Sequence, residues 1–314
     1  MKPREAAKKH ALKNREEFGE ASIDAVTGST FQDADGGPEE IQQAARSAVE
    51  EVNSLSETQV EEEMQEFEYE EQGHEHDPLP DLEGAEDSEV VVRFAPNPNG
   101  PPHLGSARGM VINGELAEKY DGKLVLRFDD TDPRNKRPRE SGYESYPEMF
   151  EWLGYEVDEV VKSSKQFEKY YKHADELVES GKAYVCECSA EKGREYRRGG
   201  EACPHRDRPV SENTELWNEM KDGEIGEGEA TLKIKTEVDH KNPAIRDFVA
   251  FRIIDNPDHP VTGDRYSAWP LLDLAGAIED HYTDTAHIVR GKELRASTKR
   301  QKYIYNYLDW EYPE

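Results

Sequence analysis

The 314-residue sequence predicts an α/β fold built on a parallel sheet, with a helical segment in front of it. Three observations predict it. The run Val90-Val91-Val92-Arg93-Phe94-Ala95 is β-branched and has the length of a buried strand. Leu104, Ala107, Val111, Ile112, Leu116 and Tyr120 then repeat at helical spacing until Asp121-Gly122 ends the segment. Lys123-Leu124-Val125-Leu126-Arg127-Phe128 reads as a second strand. Strand, loop, helix and strand in about 40 residues form a βαβ unit, which requires parallel strands and a right-handed crossover.

The chain ahead of Val90 is set apart by its charge. The whole sequence holds 69 Asp plus Glu against 40 Lys plus Arg, a formal net charge of −29, and residues 1–90 hold 26 of the acids but only 7 of the bases. Pro3 to Phe18 is rich in helix formers between a proline and Gly19, and Ile41, Ala44, Ala45, Ala48, Val49, Val52 and Leu55 follow the 3.6-residue period. Residues 1–60 are therefore read as a helical extension. Residues 61–89, nearly all acidic or polar and broken by Pro78 and Pro80, hold too little apolar area to offset their ordering entropy and are read as a linker. His74 and His76 within it read as solvated. Acidity at this level solvates a tail; its spread into the rest of the chain points to adaptation to a salt-rich cytoplasm, where charge is screened. It also removes the usual global sign of nucleic-acid binding, an excess of basic charge. No apolar run approaches the ~20 residues of a bilayer span, and none follows Met1-Lys2-Pro3-Arg4-Glu5, which excludes a membrane helix and argues against secretion. Three cysteines argue for a reducing, cytoplasmic location.

Chemistry concentrates in two places. The loop Pro96-Asn97-Pro98-Asn99-Gly100-Pro101-Pro102 feeds the helix start His103-Leu104-Gly105-Ser106, where unpaired N–H groups and the positive end of the helix dipole favour phosphate. Gly105 removes a side chain where a nucleotide can lie against backbone, and His103 can donate to phosphate as charge develops. Further on, Cys186-Glu187-Cys188 and Cys203-Pro204-His205 place four soft or borderline ligands in two close pairs joined by a loop, which suits a tetrahedral, structural Zn²⁺. Arg194, Arg197, Arg198, Arg206 and Arg208 crowd that loop as phosphate contacts or as partners of Glu191, Glu195, Glu201 and Asp207.

The stretch from Arg93 through Pro96-Asn97-Pro98-Asn99-Gly100-Pro101-Pro102-His103-Leu104-Gly105-Ser106 to Arg108, followed by Leu126-Arg127-Phe128-Asp129-Asp130-Thr131-Asp132-Pro133, resembles the signature of class I aminoacyl-tRNA synthetases of the glutamyl/glutaminyl branch. Trp269-Pro270-Leu271-Leu272-Asp273-Leu274 and His287-Ile288-Val289-Arg290-Gly291 extend the resemblance, which covers residues 90–314; the first 90 look like the N-terminal extension of archaeal glutamyl enzymes. The resemblance implies a Rossmann-type parallel sheet from residues 90–160 and 243–314, with an inserted α+β connective domain at 161–242. It implies activation of L-glutamate by ATP with Mg²⁺ to glutamyl-adenylate, then transfer to the terminal adenosine of tRNA(Glu), and leaves open whether tRNA(Gln) is an acceptor as well. Pro102, His103, Gly105 and Ser106 would hold ATP, with His103, Gly105 and Ser106 supporting catalysis. Ser106 stands where many class I enzymes carry a second histidine.

Substrate choice rests on guanidinium groups, because a buried carboxylate must be paired and Arg offers a bidentate fork. By resemblance Arg93 and Arg290 face the glutamate side chain, Arg290 being the residue that tilts the reading from glutaminyl to glutamyl. Asp129 matches the acid that receives the α-ammonium; Asp130 and Asp132 read as caps of the following turn. Tyr266 lies near this region without an assigned role. Leu272 departs from the family, which carries an aromatic there.

The chain lacks the family's Lys-Met-Ser-Lys-Ser signature and an anticodon-reading domain, so the resemblance implies a piece of a longer enzyme, catalytically poor by itself. Rival readings are a glutaminyl enzyme, a short paralogue that glutamylates a modified anticodon base, a small-molecule nucleotidyltransferase, and a non-catalytic tRNA-binding or partner-binding module.

Overall fold

The computed structural model describes residues 2–34, 36–65, 67, 79, 81–86 and 89–313, and the chain divides into two compact units, residues 1–77 and 78–314. His74 and His76 lie outside the described residues.

The first unit is helical: α1 (Pro3–Phe18), α2 (Ile23–Asp33), α3 (Pro38–Asn53) and α4 (Glu57–Met64). Helix α1 starts on a proline, whose missing N–H falls at an end position that has no partner in any case, and stops where Gly19 turns left-handed at φ +81°. Ala7, Ala11 and Leu12 pack with Ala45, Ala48, Val49 and Val52, the stripe read from the sequence. Helix α2 was not signalled by that stripe; its Val26 fills the same core, and Thr30 donates its hydroxyl to the Val26 carbonyl at 2.6 Å. A reciprocal cap between Ser56 and Gln59 starts α4, which runs into the stretch expected to be linker from residue 61 because Val60 is buried. The other end of that stretch is also structured. Leu79, Leu82 and Ala85 pack on the core of the second unit, and Leu82 donates its N–H to the Tyr120 hydroxyl at 2.9 Å. An acidic segment with a few well-spaced apolar side chains still finds a surface to cover.

The second unit opens with β1 (Val91–Phe94), α5 (Leu104–Lys119), β2 (Lys123–Phe128), α6 (Glu140–Leu153) and β3 (Glu159–Lys162). The three strands are parallel in the order β1-β2-β3, with Val92 opposite Leu124 and Leu126 opposite Val160. The stretch before Arg290 meets this sheet through a parallel bridge from His287 to Val92.

Next come α7 (Phe167–Glu179), β4 (Ala183–Cys186), α8 (Ala190–Gly199), α9 (Val210–Asp222), β5 (Thr231–Ile234), β6 (Phe248–Ile253), β7 (Ala268–Pro270), α10 (Leu272–Tyr282) and α11 (Arg295–Tyr307). Strands β4-β5-β6-β7 form one antiparallel sheet with a bulge at Leu232/Lys233. The expected division at residue 242 runs through this sheet, since β5 lies before it and β6 after it. Their paired backbones need each other's hydrogen bonds, and Val185, Leu232, Phe251, Trp269, Ile278 and Ile304 share one core.

Candidate active site

The loops that leave β1 and β2 are tied to each other. Asp129 donates its N–H to the Pro96 carbonyl at 2.9 Å, and Asn97 returns a side-chain N–H to the Asp129 carbonyl at 2.8 Å. Gly142 closes the loop from the α6 side, because a Cβ there would lie 2.4 Å from the Pro98 carbonyl oxygen. Only glycine permits that approach.

At the end of the β1 loop, beyond half-buried Pro102, exposed His103 is the N-cap of α5. Its Nδ1 accepts the Gly105 N–H at 3.1 Å, so the neutral ring carries its proton on Nε2. Ser106 completes the cap by accepting the His103 N–H on its hydroxyl at 3.4 Å. A Cβ at residue 105 would stand 2.9 Å from the His103 ring, so the glycine makes room for the imidazole. All four predicted nucleotide-site residues therefore share one helix start.

The predicted substrate residues meet in the interior around an acid the sequence did not reveal, Asp280 of α10. Its Oδ1 accepts from Arg93 Nε at 2.9 Å and from Arg127 Nη1 at 2.5 Å, and Arg290 Nη2 lies 3.7 Å from Oδ2. Arg127 also holds Asp129 with two N–H groups, at 2.7 and 3.3 Å. Arg290 donates Nη1 to Gln301 at 2.7 Å, while its Nε is buried without a partner among the described residues. Burial would raise the pKa of Asp280, but the Arg93 and Arg127 charges outweigh it and hold the carboxyl below the usual range. Burial, with Arg93 adding to it, lowers that of Arg290. Beside Asp280 in sequence, Glu279 is fully buried, neither carboxyl oxygen has a partner among the described residues, and burial pushes its pKa up.

The two other acids of the motif do different work. Asp132 accepts the N–H groups of Arg134 and Asn135, a turn cap as expected, and pairs with Arg252 at 2.5 Å. Asp130 does not cap that turn. It is fully buried and accepts from Tyr143 and Ser164, so it pins the segment after β3. Tyr266 stacks on Phe167 at 4.0 Å, and Leu272 is the half-exposed first residue of α10.

At the far end of β4, the ligand atoms of Cys186, Cys188, Cys203 and His205 all lie within 4.8 Å of one another, a set that fits a tetrahedral ion. Arg206 pairs with Asp247 at 2.8 Å and Arg208 with Glu187, neither acid being the expected partner. Arg194, Arg197 and Arg198 on α8 make no ion pair among the described residues. A further basic group lines a cavity of about 660 Å³ beside Asn99: Arg134, Lys136, Arg137 and Arg139.

The family model for the catalytic domain of class I tRNA synthetases (E and Q) matches residues 89–314. The chain belongs to this family. Over nearly its whole length it is 46% identical to a glutamate–tRNA ligase of Archaeoglobus fulgidus, covering 99% of this chain and 57% of that protein, and 47% identical to one of Pyrococcus horikoshii, covering 98% and 55%. This synthetase chain thus spans a little over half the length of the curated relatives it matches. A crystal structure of a glutamate tRNA ligase from Elizabethkingia meningosepticum in complex with its amino acid shares the fold, with TM-score 0.52 at 24% identity, covering 72% of this chain and 48% of that one. The α/β architecture is that of class I synthetases. No helix among the described residues is long and apolar enough to cross a membrane.

Sequence reasoning missed Asp280, the bridging role of Arg127, and the basic cavity. The cavity had a signal: Arg134-Asn135-Lys136-Arg137-Pro138-Arg139 is a dense cationic run in an acidic chain. The arginine hub had none, because Arg127 and Arg93 lie 153 and 187 residues from Asp280.

Proposed function

We propose that this chain carries the amino-acid-activating site of a glutamate–tRNA ligase, which uses ATP to convert L-glutamate to glutamyl-adenylate and passes the glutamyl group to the terminal adenosine of tRNA(Glu). The observation that carries this reading is the convergence of Arg93 and Arg290 on buried Asp280, with Arg290 Nε unpartnered among the described residues. An unpaired buried donor costs about 1–3 kcal/mol, which a substrate side-chain carboxylate would offset. Asp129, oriented by Arg127, retains lone pairs for the α-ammonium. His103, protonated on Nε2, and the N–H groups at the α5 start would hold the triphosphate, with Mg²⁺ arriving on it. In-line attack by the substrate carboxylate on the α-phosphate needs this positioning and no protein nucleophile.

The cysteine–histidine cluster would hold a structural Zn²⁺. Arg194, Arg197 and Arg198, with the Arg134–Arg139 run, would meet tRNA phosphates as local positive patches on an acidic protein. We place the enzyme in the cytoplasm of a salt-adapted cell; a melting temperature that rises from 0.1 M to molar KCl supports this, and one that falls refutes it (about these concentrations). tRNA(Gln) as a second acceptor is read from charging assays with each tRNA.

The glutamate site is tested by calorimetry of this chain with ATP, L-glutamate and L-glutamine. Arg290→Gln should weaken glutamate by about 2 kcal/mol, roughly 30-fold, while sparing glutamine. A wild-type preference for glutamine would replace this reading with the glutaminyl one, and no binding of ATP or glutamate would leave a non-catalytic module.

A further inference from the structure

We propose that Asp280 is a positioning residue that sets the charge of the amino-acid pocket: by gathering Arg93, Arg127 and Arg290 on one carboxylate, it leaves the cluster one net positive charge, matched to an amino acid with a second carboxylate. The proposal rests on the glutamate reading above and concerns how that preference is built.

The charges can be counted. Three guanidinium groups face two carboxylates, Asp129 and Asp280, and burial pushes the neighbouring Glu279 carboxyl toward its neutral form, which leaves one positive charge. L-Glutamate, with two carboxylates and one ammonium, carries one negative charge; glutamine carries none. Asp280 is only 1% exposed and both hydrogen bonds to Oδ1 come from arginines, so it is not itself placed to receive the substrate. Its geometry is that of a hub. Arg127 is bound at both ends, to Asp129 and Asp280, and its part is to carry the hub's position to the acid that would meet the ammonium. Arg93 uses Nε on the hub and Nη1 on the Val289 carbonyl at 3.3 Å, and Arg290 uses Nη1 on Gln301, so each keeps further N–H groups unspent. Without the hub, three like charges a few ångström apart at low dielectric repel, and they relax by separating or by trapping a solvent anion. Either outcome removes the seat of the second carboxylate. The amide of glutamine has little to lose there.

The test compares Asp280→Asn and Arg127→Gln with the wild-type chain, by calorimetry with L-glutamate, L-glutamine and ATP. Asp280→Asn should weaken glutamate by about tenfold or more, glutamine by less than about threefold, and ATP by less than about twofold. Arg127→Gln, which leaves the hub acid but removes a cation and loosens Asp129, should weaken both amino acids but glutamate by about tenfold more than glutamine, and decides the matter should Asp280→Asn fail to fold. Equal weakening of both amino acids would mean that the hub only holds the fold, and would overturn the proposal. Tighter glutamate binding in Asp280→Asn would overturn it too, because Asp280 would then merely compete with the substrate. A wild-type chain that prefers glutamine fails earlier, at the functional reading, before any variant is compared.

Discussion

The carboxylate of Asp130 receives both the backbone N–H and the hydroxyl of Ser164, each at 2.7 Å. Tyr143 adds a third donor at 2.5 Å, and His259 meets the Asp130 carbonyl at 2.8 Å. One residue thus fastens the loop after β2 to the start of the segment after β3. Asp130→Ala should destabilise the chain by about 3 kcal/mol or more, because it strands several buried donors, whereas Ser164→Ala should cost about 1 kcal/mol. Urea unfolding of the two variants checks this; equal, small losses would show that the donors find water instead.

Glu279 gives stability a pH dependence. In the unfolded chain it titrates near 4.5, and burial raises its pKa in the folded chain. Below about 4.5 both states hold the proton and no penalty exists. As pH rises from there, the unfolded state releases its proton first and stability is lost until the folded-state pKa is passed, at about 1.4 kcal/mol per unit of difference. Glu279→Gln, neutral throughout, should therefore gain melting temperature relative to wild type on going from pH 5 to pH 8. A difference that stays flat between those values would show that Glu279 is charged and paired in the folded protein.

The cysteine cluster predicts a bound metal. One zinc per chain should be found by atomic emission, and Cys203→Ser or prolonged chelation should remove it and lower the melting temperature. Cys186 and Cys203 sulfurs lie 3.8 Å apart, and the shared proton lowers the pKa of Cys203 while raising that of Cys186. That leaves Cys203 as the thiolate of the pair, which a bound cation would cover, so metal-free protein should react faster with thiol reagents than zinc-loaded protein.

Gly105→Ala should strike the His103 ring and displace it from its cap. The expected cost is about 1 kcal/mol in stability and a larger, roughly tenfold, loss of ATP affinity as the Nε2 donor is redirected. ATP titration alongside thermal melts separates the two; an unchanged ATP affinity would remove His103 from the phosphate site.

Local signals were the legible ones. Pro3 and Gly19 bracket α1, the apolar period of α3 marks its buried stripe, and β2 covers the run Lys123–Phe128 read as a strand. Helix α2 escaped because Ile23-Asp24-Ala25-Val26-Thr27-Gly28 has poor helix propensity, which packing of Val26 overrides. At the site, motif residues Arg93 and Arg290 were named before their common partner, Asp280. Asp280 sits in a helix among buried neighbours, where sequence alone gives an acid no reason to be inside until the arginines that pay its desolvation are known to converge there. The connective boundary failed for a related reason, since cross-strand pairing between Leu232 and Phe251 leaves no local mark.

The antiparallel sheet that crosses residue 242 makes the cysteine–histidine cluster and the arginine hub two ends of a single packed body, joined from Val185 through Phe251 to Ile278. A segment built this way cannot be excised or exchanged as a cassette: cutting it out would unzip β6 and expose the apolar underside of the helix that bears the hub.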